Sequence, residues 1–342
     1  MTNPFELNFG EKPENYISRH RQSSEIIESF KNGNSKNVYM ITGVRGSGKT
    51  VMLSSISNVF EKEKDWIVME LIPSYDMLDQ FASALYDSSI LHRLFNGKIF
   101  GFFFEGISFS IKGDKPITNV ITLLEKLLSK ISKANKKVLI CVDEVTNNNF
   151  VKPFVQAFQL LLRKHYPIYL LMTGLFENIY ELKNDESLTF LYRAPKITLE
   201  PLNISAVANA YISLLGLDEE HAIECAKLTK GYAYAYQVLG YVLFESGKKK
   251  IDRDSLAQVD QYLQEYAYIK CWYGLSNNDK RFLLAFKNDS ESTHNILDKT
   301  NFKKNEYSVY RDRLIKRGYI NATSIGQLSL SLPRFIEFLK MV

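Results

Sequence analysis

Apolar residues fall into two rhythms along this chain. Up to residue 199, short unbroken apolar runs alternate with segments of helical period. Unbroken runs read as strands buried on both faces, so the alternation predicts a parallel sheet covered by helices. Residues 37–42 (NVYMIT), 66–72 (WIVMELI), 137–145 (KVLICVDEV), 167–173 (PIYLLMT) and 196–199 supply the strands. Residues 49–60, 74–94, 117–132 and 151–165 are the helices between them, and Ile121, Leu124, Leu127, Leu128 and Ile131 line one face of the third. A polar lead-in, residues 1–35, ends in a short helix whose face is Ile26, Ile27 and Phe30. Residues 98–112 (KIFGFFFEGISFSIK) read as a β-hairpin insert. Its aromatics either cover the sheet edge or form a partner surface.

From residue 201 the rhythm is helical, with segments at 205–215, 218–229, 232–245 and 253–268. Three more helices follow at 275–286, 292–300 and 305–317, the first with Ser276 and Asp279 in a capping-box arrangement. Residues 319–323 and 327–332 then alternate around Ser324-Ile325-Gly326, a hairpin. Helix–helix–helix–hairpin is the winged-helix order, with the third helix in the recognition position. The expected fold is α/β: a parallel-sheet domain over residues 1–200, a helical region over 201–268 and a winged helix over 269–342.

Composition adds few constraints. A chain of 342 residues, 45% apolar and 24% charged, has room for two or three ordinary globular domains. The opening MTNPFELNFGEKPE lacks a signal-peptide pattern, and the longest apolar runs are too short or too interrupted to span a bilayer. Cys141, Cys225 and Cys271 have no paired spacing, so neither a disulfide framework nor a zinc site is expected. A cytoplasmic protein without a membrane segment fits these features. The net charge of +5 is too small to imply nucleic acid by itself. Its distribution is more telling, because residues 301–320 hold six basic residues (Lys303, Lys304, Arg311, Arg313, Lys316, Arg317) against Glu306 and Asp312.

The chemistry centres on the end of the first strand. Gly43-x-x-x-x-Gly48-Lys49-Thr50 is the phosphate-binding loop spacing, with a strand before it and a helix after it. Glycines let the backbone wrap closely around a polyphosphate, and successive N–H groups at a helix N-terminus face the anion. Contacts to ATP are expected along Gly43, Val44, Arg45, Gly46, Ser47, Gly48, Lys49, Thr50 and Val51. Lys49 would reach the β- and γ-phosphates, and the Thr50 hydroxyl would ligate Mg²⁺.

Asp143 and Glu144 close a buried strand at its C-terminal end, where ligands of open α/β sheets sit. Asp143 would hold the Mg²⁺ shell opposite Thr50, and Glu144 would orient water for γ-phosphate hydrolysis. Thr173 ends the next strand at the same sheet edge, where it either senses the γ-phosphate or caps the following segment. Arg193 precedes the last strand.

The succession of phosphate loop, Asp-Glu strand, strand ending in Thr, Arg before a fifth strand and then a helical segment resembles the AAA+ and STAND branch of P-loop ATPases. It is most similar to prokaryotic ATP-binding proteins related to origin-recognition-like replication initiators. The resemblance implies that residues 201–268 are a lid over the nucleotide and that Thr173 occupies the first sensor position. It also implies that Arg193, otherwise a surface ion pair, is an arginine finger offered to a neighbouring subunit. In Gly231-Tyr232-Ala233-Tyr234 the chain departs from the family pattern. Tyr234 stands where AAA+ proteins have a second-sensor arginine, and Ala233 stands where STAND proteins have proline.

Two functions are consistent with these features. One is a DNA-engaging ATPase switch that contacts duplex DNA through residues 303–317, with Ser308 and Tyr310 as further donors. The other is a STAND-type signalling or defence ATPase whose winged helix docks protein. A homo-oligomer or protein partner is expected under either.

Overall fold

The apolar runs pair into one sheet whose central strands are covered by helices on both faces. The computed structural model describes residues 2–7, 13–33, 36–88, 99–100, 110–111 and 119–342. In chain order the first strands are β1 (Val38–Thr42), β2 (Trp66–Leu71), the two-residue β3 (Ile99–Phe100) and β4 (Ser110–Ile111), β5 (Lys137–Val142), β6 (Ile168–Gly174) and β7 (Lys196–Thr198). Five of them form one sheet in the order β2-β5-β6-β1-β7. Pairing is parallel, with Glu70 opposite Cys141, Cys141 opposite Leu171 and Ile41 opposite Thr173. β3 and β4 pair antiparallel, as expected of the insert. The aromatics between them, and the expected helical residues 89–94, lie outside the described residues.

The helices of this half are α1 (His20–Lys31), α2 (Lys49–Glu61), α3 (Met77–Asp87), α4 (Val120–Lys133), α5 (Val151–Arg163) and α6 (Phe176–Asn184). A 3-10 helix, Glu186–Arg193, follows α6. Alternate residues of a strand face opposite ways. Met40, Ile140, Leu170 and Met172 pack against Phe81, Leu124, Leu128, Phe154 and Phe158 on one side of the sheet. Tyr39, Trp66 and Tyr169 meet Phe30 of α1 and Phe60 of α2 on the other, with ring centroids 4.3–5.5 Å apart. On α4, Leu123 takes the buried place expected of Ile121.

The chain divides into two compact units. One is Met1–Arg19, Gly43–Val51 and Thr198–Val342; the other is His20–Thr42 and Met52–Ile197. The phosphate-loop stretch is thus counted with the helical C-terminal half. That half continues with α7 (Ile204–Leu215), α8 (Glu219–Leu228), α9 (Ala233–Ser246) and α10 (Arg253–Leu263). α10 does not end at 268 as its pattern suggests. It runs through one π-helical turn, Gln264–Tyr268, into α11 (Ile269–Tyr273).

Residues 2–7, which read as a polar lead-in, are tied to α9. The Phe5 ring seats on Gly240, where an added Cβ would come within 2.3 Å of it. The Gln237 amide accepts the Glu6 N–H at 3.1 Å and donates to the Asn15 carbonyl at 3.0 Å.

The last elements are α12 (Asn277–Leu284), β8 (Ser290–Ser292), α13 (Thr293–Thr300), α14 (Lys304–Lys316), β9 (Ile320–Ser324), β10 (Gln327–Leu330) and α15 (Phe335–Leu339). The three strands form an antiparallel sheet in the order β8-β10-β9. The Ser276–Asp279 capping box starts α12 as its sequence indicates. All three cysteines are buried thiols. No described helix is long and apolar enough to cross a membrane.

Candidate functional site

The loop between β1 and α2 adopts a shape that its glycines permit. Gly46 and Gly48 have φ of +75° and +90°, conformations that a side chain disfavours. Gly43 must lack a side chain for another reason, since an added Cβ would sit 2.6 Å from Ser47 Oγ. The Ser47 N–H donates to the Val44 carbonyl at 3.2 Å, which closes the turn. Among the described residues, no acceptor takes the Gly46 or Gly48 N–H, and the buried Ser47 hydroxyl has no partner. The Lys49 ammonium bridges the loop, donating to the Gly43 and Val44 carbonyls at 3.2 and 3.0 Å.

A second cation stands here that the sequence did not single out. Arg19 donates through Nη2 to the Ser47 carbonyl at 2.9 Å and through Nε to the Glu200 carbonyl at 2.8 Å. Burial lowers its pKa to about 10, partly offset by the Glu200 carboxylate, so it stays cationic at neutral pH. Free N–H groups, an orphaned hydroxyl and two fixed cations fit a polyphosphate. The only textual hint of Arg19 is its place directly before α1, in Tyr16-Ile17-Ser18-Arg19-His20.

Residues after α8 close on this loop within the same unit. The Tyr232 hydroxyl donates to the Arg45 carbonyl at 2.5 Å, and the Tyr234 N–H donates to the Gly46 carbonyl at 3.1 Å. Gly231, at φ +70°, lets the chain turn here, because an added Cβ would lie 2.5 Å from the Leu202 carbonyl. Tyr234 therefore meets the loop through its backbone. Further on, an added Cβ at Gly318 would lie 2.8 Å from Val44 Cγ1, so the turn after α14 also rests on the loop.

The acids form a second group, in the other unit. β5 ends at Val142, and Asp143 and Glu144 follow it. The fully buried Thr173 donates its hydroxyl to Asp143 in a short hydrogen bond. The Glu144 N–H donates to Thr173 Oγ1 at 3.2 Å and to Asp143 Oδ1 at 3.0 Å. Glu144 has φ of +52°, an uncommon conformation for a side-chain-bearing residue, and its carboxylate is exposed. Glu70 on β2, which the sequence did not mark, is a third acid of the group. Burial raises its pKa, and the Asp143 carboxylate raises it further. No three acidic, His or Cys side chains among the described residues converge closely enough to hold a metal ion. A Mg²⁺ ion bound at Asp143 would therefore need oxygens beyond these side chains, such as those of nucleotide phosphates and water.

Arg193 ends the 3-10 helix and is exposed, with no carboxylate paired to it among the described residues.

The basic helix α14 is less available than its sequence implies. Arg313 donates to Asp279 at 2.9 Å through Nε and to Ser276 Oγ at 2.9 Å through Nη2. Arg317 is buried, bonding Asp279 at 3.4 Å and the Gly274 carbonyl at 2.9 Å. Both guanidinium groups neutralise the buried Asp279 carboxylate, so these two of the six basic residues are engaged within the fold. Arg311 pairs with Asp312 at 2.9 Å, which leaves Lys303, Lys304 and Lys316 exposed. Ser308 donates to the Lys304 carbonyl at 2.9 Å, and Tyr310 OH accepts from Asn278 at 2.5 Å.

Comparison with known proteins places this geometry. A family model described as an ATPase domain predominantly from Archaea matches residues 19–193. A second model, of a domain of unknown function, matches residues 266–339. No curated protein matches the chain. Among solved structures, the chain is similar to a Walker-type ATPase of Pyrococcus abyssi, with a TM-score of 0.65 and 14% identity over 98% of this chain and 99% of that one. It is also similar to the ORC2 protein of Aeropyrum pernix in its ADPNP–ADP complexes, with a TM-score of 0.59 and 14% identity over 98% and 96% of the two chains. For Cdc6p of Pyrobaculum aerophilum the TM-score is 0.51, with 14% identity over 98% and 95%. The chain belongs to the family of ATPase domains found predominantly in Archaea, and its fold is that of the origin-recognition AAA+ ATPases.

Proposed function

We propose that this protein is a Mg²⁺-dependent ATP switch whose nucleotide state is passed to its C-terminal helices and strands. The observation that carries the reading is the cradle at Gly43–Val51: two glycines at positive φ, N–H groups without acceptors among the described residues, and Lys49 spanning the loop mouth. Lys49 binds the β- and γ-phosphates in this reading, and Val44, Arg45, Ser47 and Val51 complete the cradle. Mg²⁺, held by Thr50 and Asp143, would neutralise phosphate charge during transfer to water. Glu144 orients that water and accepts its proton. Thr173 holds Asp143 and the Glu144 backbone in place, and Arg193 reaches the nucleotide of a neighbouring copy. Hydrolysis is slow and resets the switch.

The lid contacts support a switch more than a motor. Tyr232 and Tyr234 hold carbonyls of the loop whose N–H groups would face the nucleotide, so occupancy and lid position act on one segment of backbone. The output is duplex DNA, engaged by the winged-helix elements of residues 269–342 through Lys303, Lys304 and Lys316. The inward turn of Arg313 and Arg317 favours a second reading, in which these elements dock protein in a STAND-type signalling or defence ATPase. Calorimetric titration with ATP tests the nucleotide site. Lys49→Ala should abolish binding, and unchanged affinity in that variant would remove the assignment.

A further inference from the structure

We infer that the DNA-phosphate path of this protein runs off α14 into the groove between α12 and α13, where Lys280 and Arg281 bind the backbone of duplex DNA. This rests on the DNA-engaging reading and names where that contact is made. Asn277, Lys280, Arg281 and Leu284 share one face of α12 over two turns, and Lys299 of α13 lines the same groove with Ala285. Residues spaced three and four apart share one face of a helix.

The cations here are fixed rather than trailing in solvent. Lys280 Nζ lies 5.4 Å from the Trp272 ring centroid, and the Arg281 guanidinium lies 5.2 Å from that of Phe302. Neither is ion-paired among the described residues. Lys299 bonds the Ala285 carbonyl and pairs with Glu291 at 3.2 Å, so it shapes the wall more than it adds charge. The neighbouring Glu291 is engaged as well, by Lys299 and Asn295.

Position joins the groove to α14. Phe302, on which Arg281 rests, directly precedes Lys303 and Lys304, so the four free cations form one track. α14 alone has lost Arg313 and Arg317 to Asp279, which leaves too few contacts for a usual phosphate footprint. The groove restores two. Phosphate contacts carry no sequence information, so the track implies backbone binding that positions the duplex.

Fluorescence anisotropy of the full chain with a random-sequence duplex, titrated across salt, tests this. The Lys280→Ala/Arg281→Ala variant should lose affinity by a factor on the order of ten to a hundred, and its log–log salt slope should shrink by about two. Lys62→Ala/Lys64→Ala, with the same loss of net charge, should bind as wild type does. If Lys280→Ala/Arg281→Ala matches that control while Lys303→Ala/Lys304→Ala loses binding, the groove assignment is overturned and the DNA reading stands. If the wild type fails to bind duplex even at low salt, both fall together. Unaltered melting of each variant by circular dichroism keeps the comparison one of charge.

Discussion

Thr173 holds both acids that follow β5: its hydroxyl donates to the Asp143 carboxylate and accepts the Glu144 N–H at 3.2 Å. The register of β5 and β6 brings this about, since Val142 lies opposite Met172 and the next residues on each strand meet just past the pairing. A hydroxyl here can fix the Asp143 carboxylate and the Glu144 backbone without adding charge. Thr173→Val keeps the shape and removes the bond. A net hydrogen bond is worth about 1.4 kcal/mol, equivalent to a factor of ten in rate if it is needed only in the transition state. We expect roughly tenfold slower turnover with ATP affinity retained, measured by phosphate release and by titration. Equal loss of both would mean that Thr173 only supports the fold.

Tyr232 should govern access to the loop. Tyr232→Phe loses one hydrogen bond to Arg45, about 1 kcal/mol of lid closure, without disturbing the aromatic packing. Stopped-flow exchange of a fluorescent nucleotide should show faster association and dissociation, each about fivefold. An unchanged exchange rate would uncouple the lid from the loop.

Gly46→Ala meets two obstacles, the positive φ and the Tyr232 hydroxyl 2.2 Å from the new Cβ. Backbone strain alone costs about 1–2 kcal/mol. Combining Gly46→Ala with Tyr232→Phe removes the hydroxyl, so the double variant should be more stable than the sum of the two single losses. The measurement is a thermal-melt double-mutant cycle. Simple additivity would show that the tyrosine does not press on the glycine.

Arg317 separates support from recognition. Arg317→Ala leaves the buried Asp279 carboxylate with Arg313 as its remaining cation, and we expect about 1–3 kcal/mol of destabilisation in a denaturant titration. A DNA-contacting arginine would instead lower duplex affinity and leave the melt unchanged.

Acid should weaken the C-terminal elements through Glu291. Burial acts to raise its pKa, but hydrogen bonds from Asn295 and the Ser292 backbone, with Lys299, override this and hold it at about 2. The folded state therefore favours the charged form. This stabilisation is complete above the ordinary carboxylate range and is lost as pH falls from about 4.5 towards 2. Glu291→Gln should remove that part of the acid-side fall in melting temperature. An identical pH profile in the variant would contradict the assignment.

The strands were legible because a sheet covered on both faces demands unbroken apolar runs, and KVLICV and IYLLMT have no other use. The glycine loop was legible because its conformation restricts which residues can form it. What could not be read was long-range. β8 is the polar tripeptide SES, a strand only because β10 pairs with it. In α6 only Ile179 and Leu182 are buried, too few to announce a helix. The inward turn of Arg313 and Arg317 depends on Asp279, more than thirty residues earlier. Arg19 acquires its place beside Ser47 only through folding. Phe5 likewise reads as one apolar residue in a polar lead-in until Gly240 gives it a seat.

The central claim is that Glu144 directs water at ATP held by the Gly43–Val51 loop. Single-turnover phosphate release by Glu144→Gln tests it most directly, with ATP binding measured on the same sample. The account predicts wild-type ATP affinity with release slowed by a factor on the order of 10² or more. Release at the wild-type rate would contradict it.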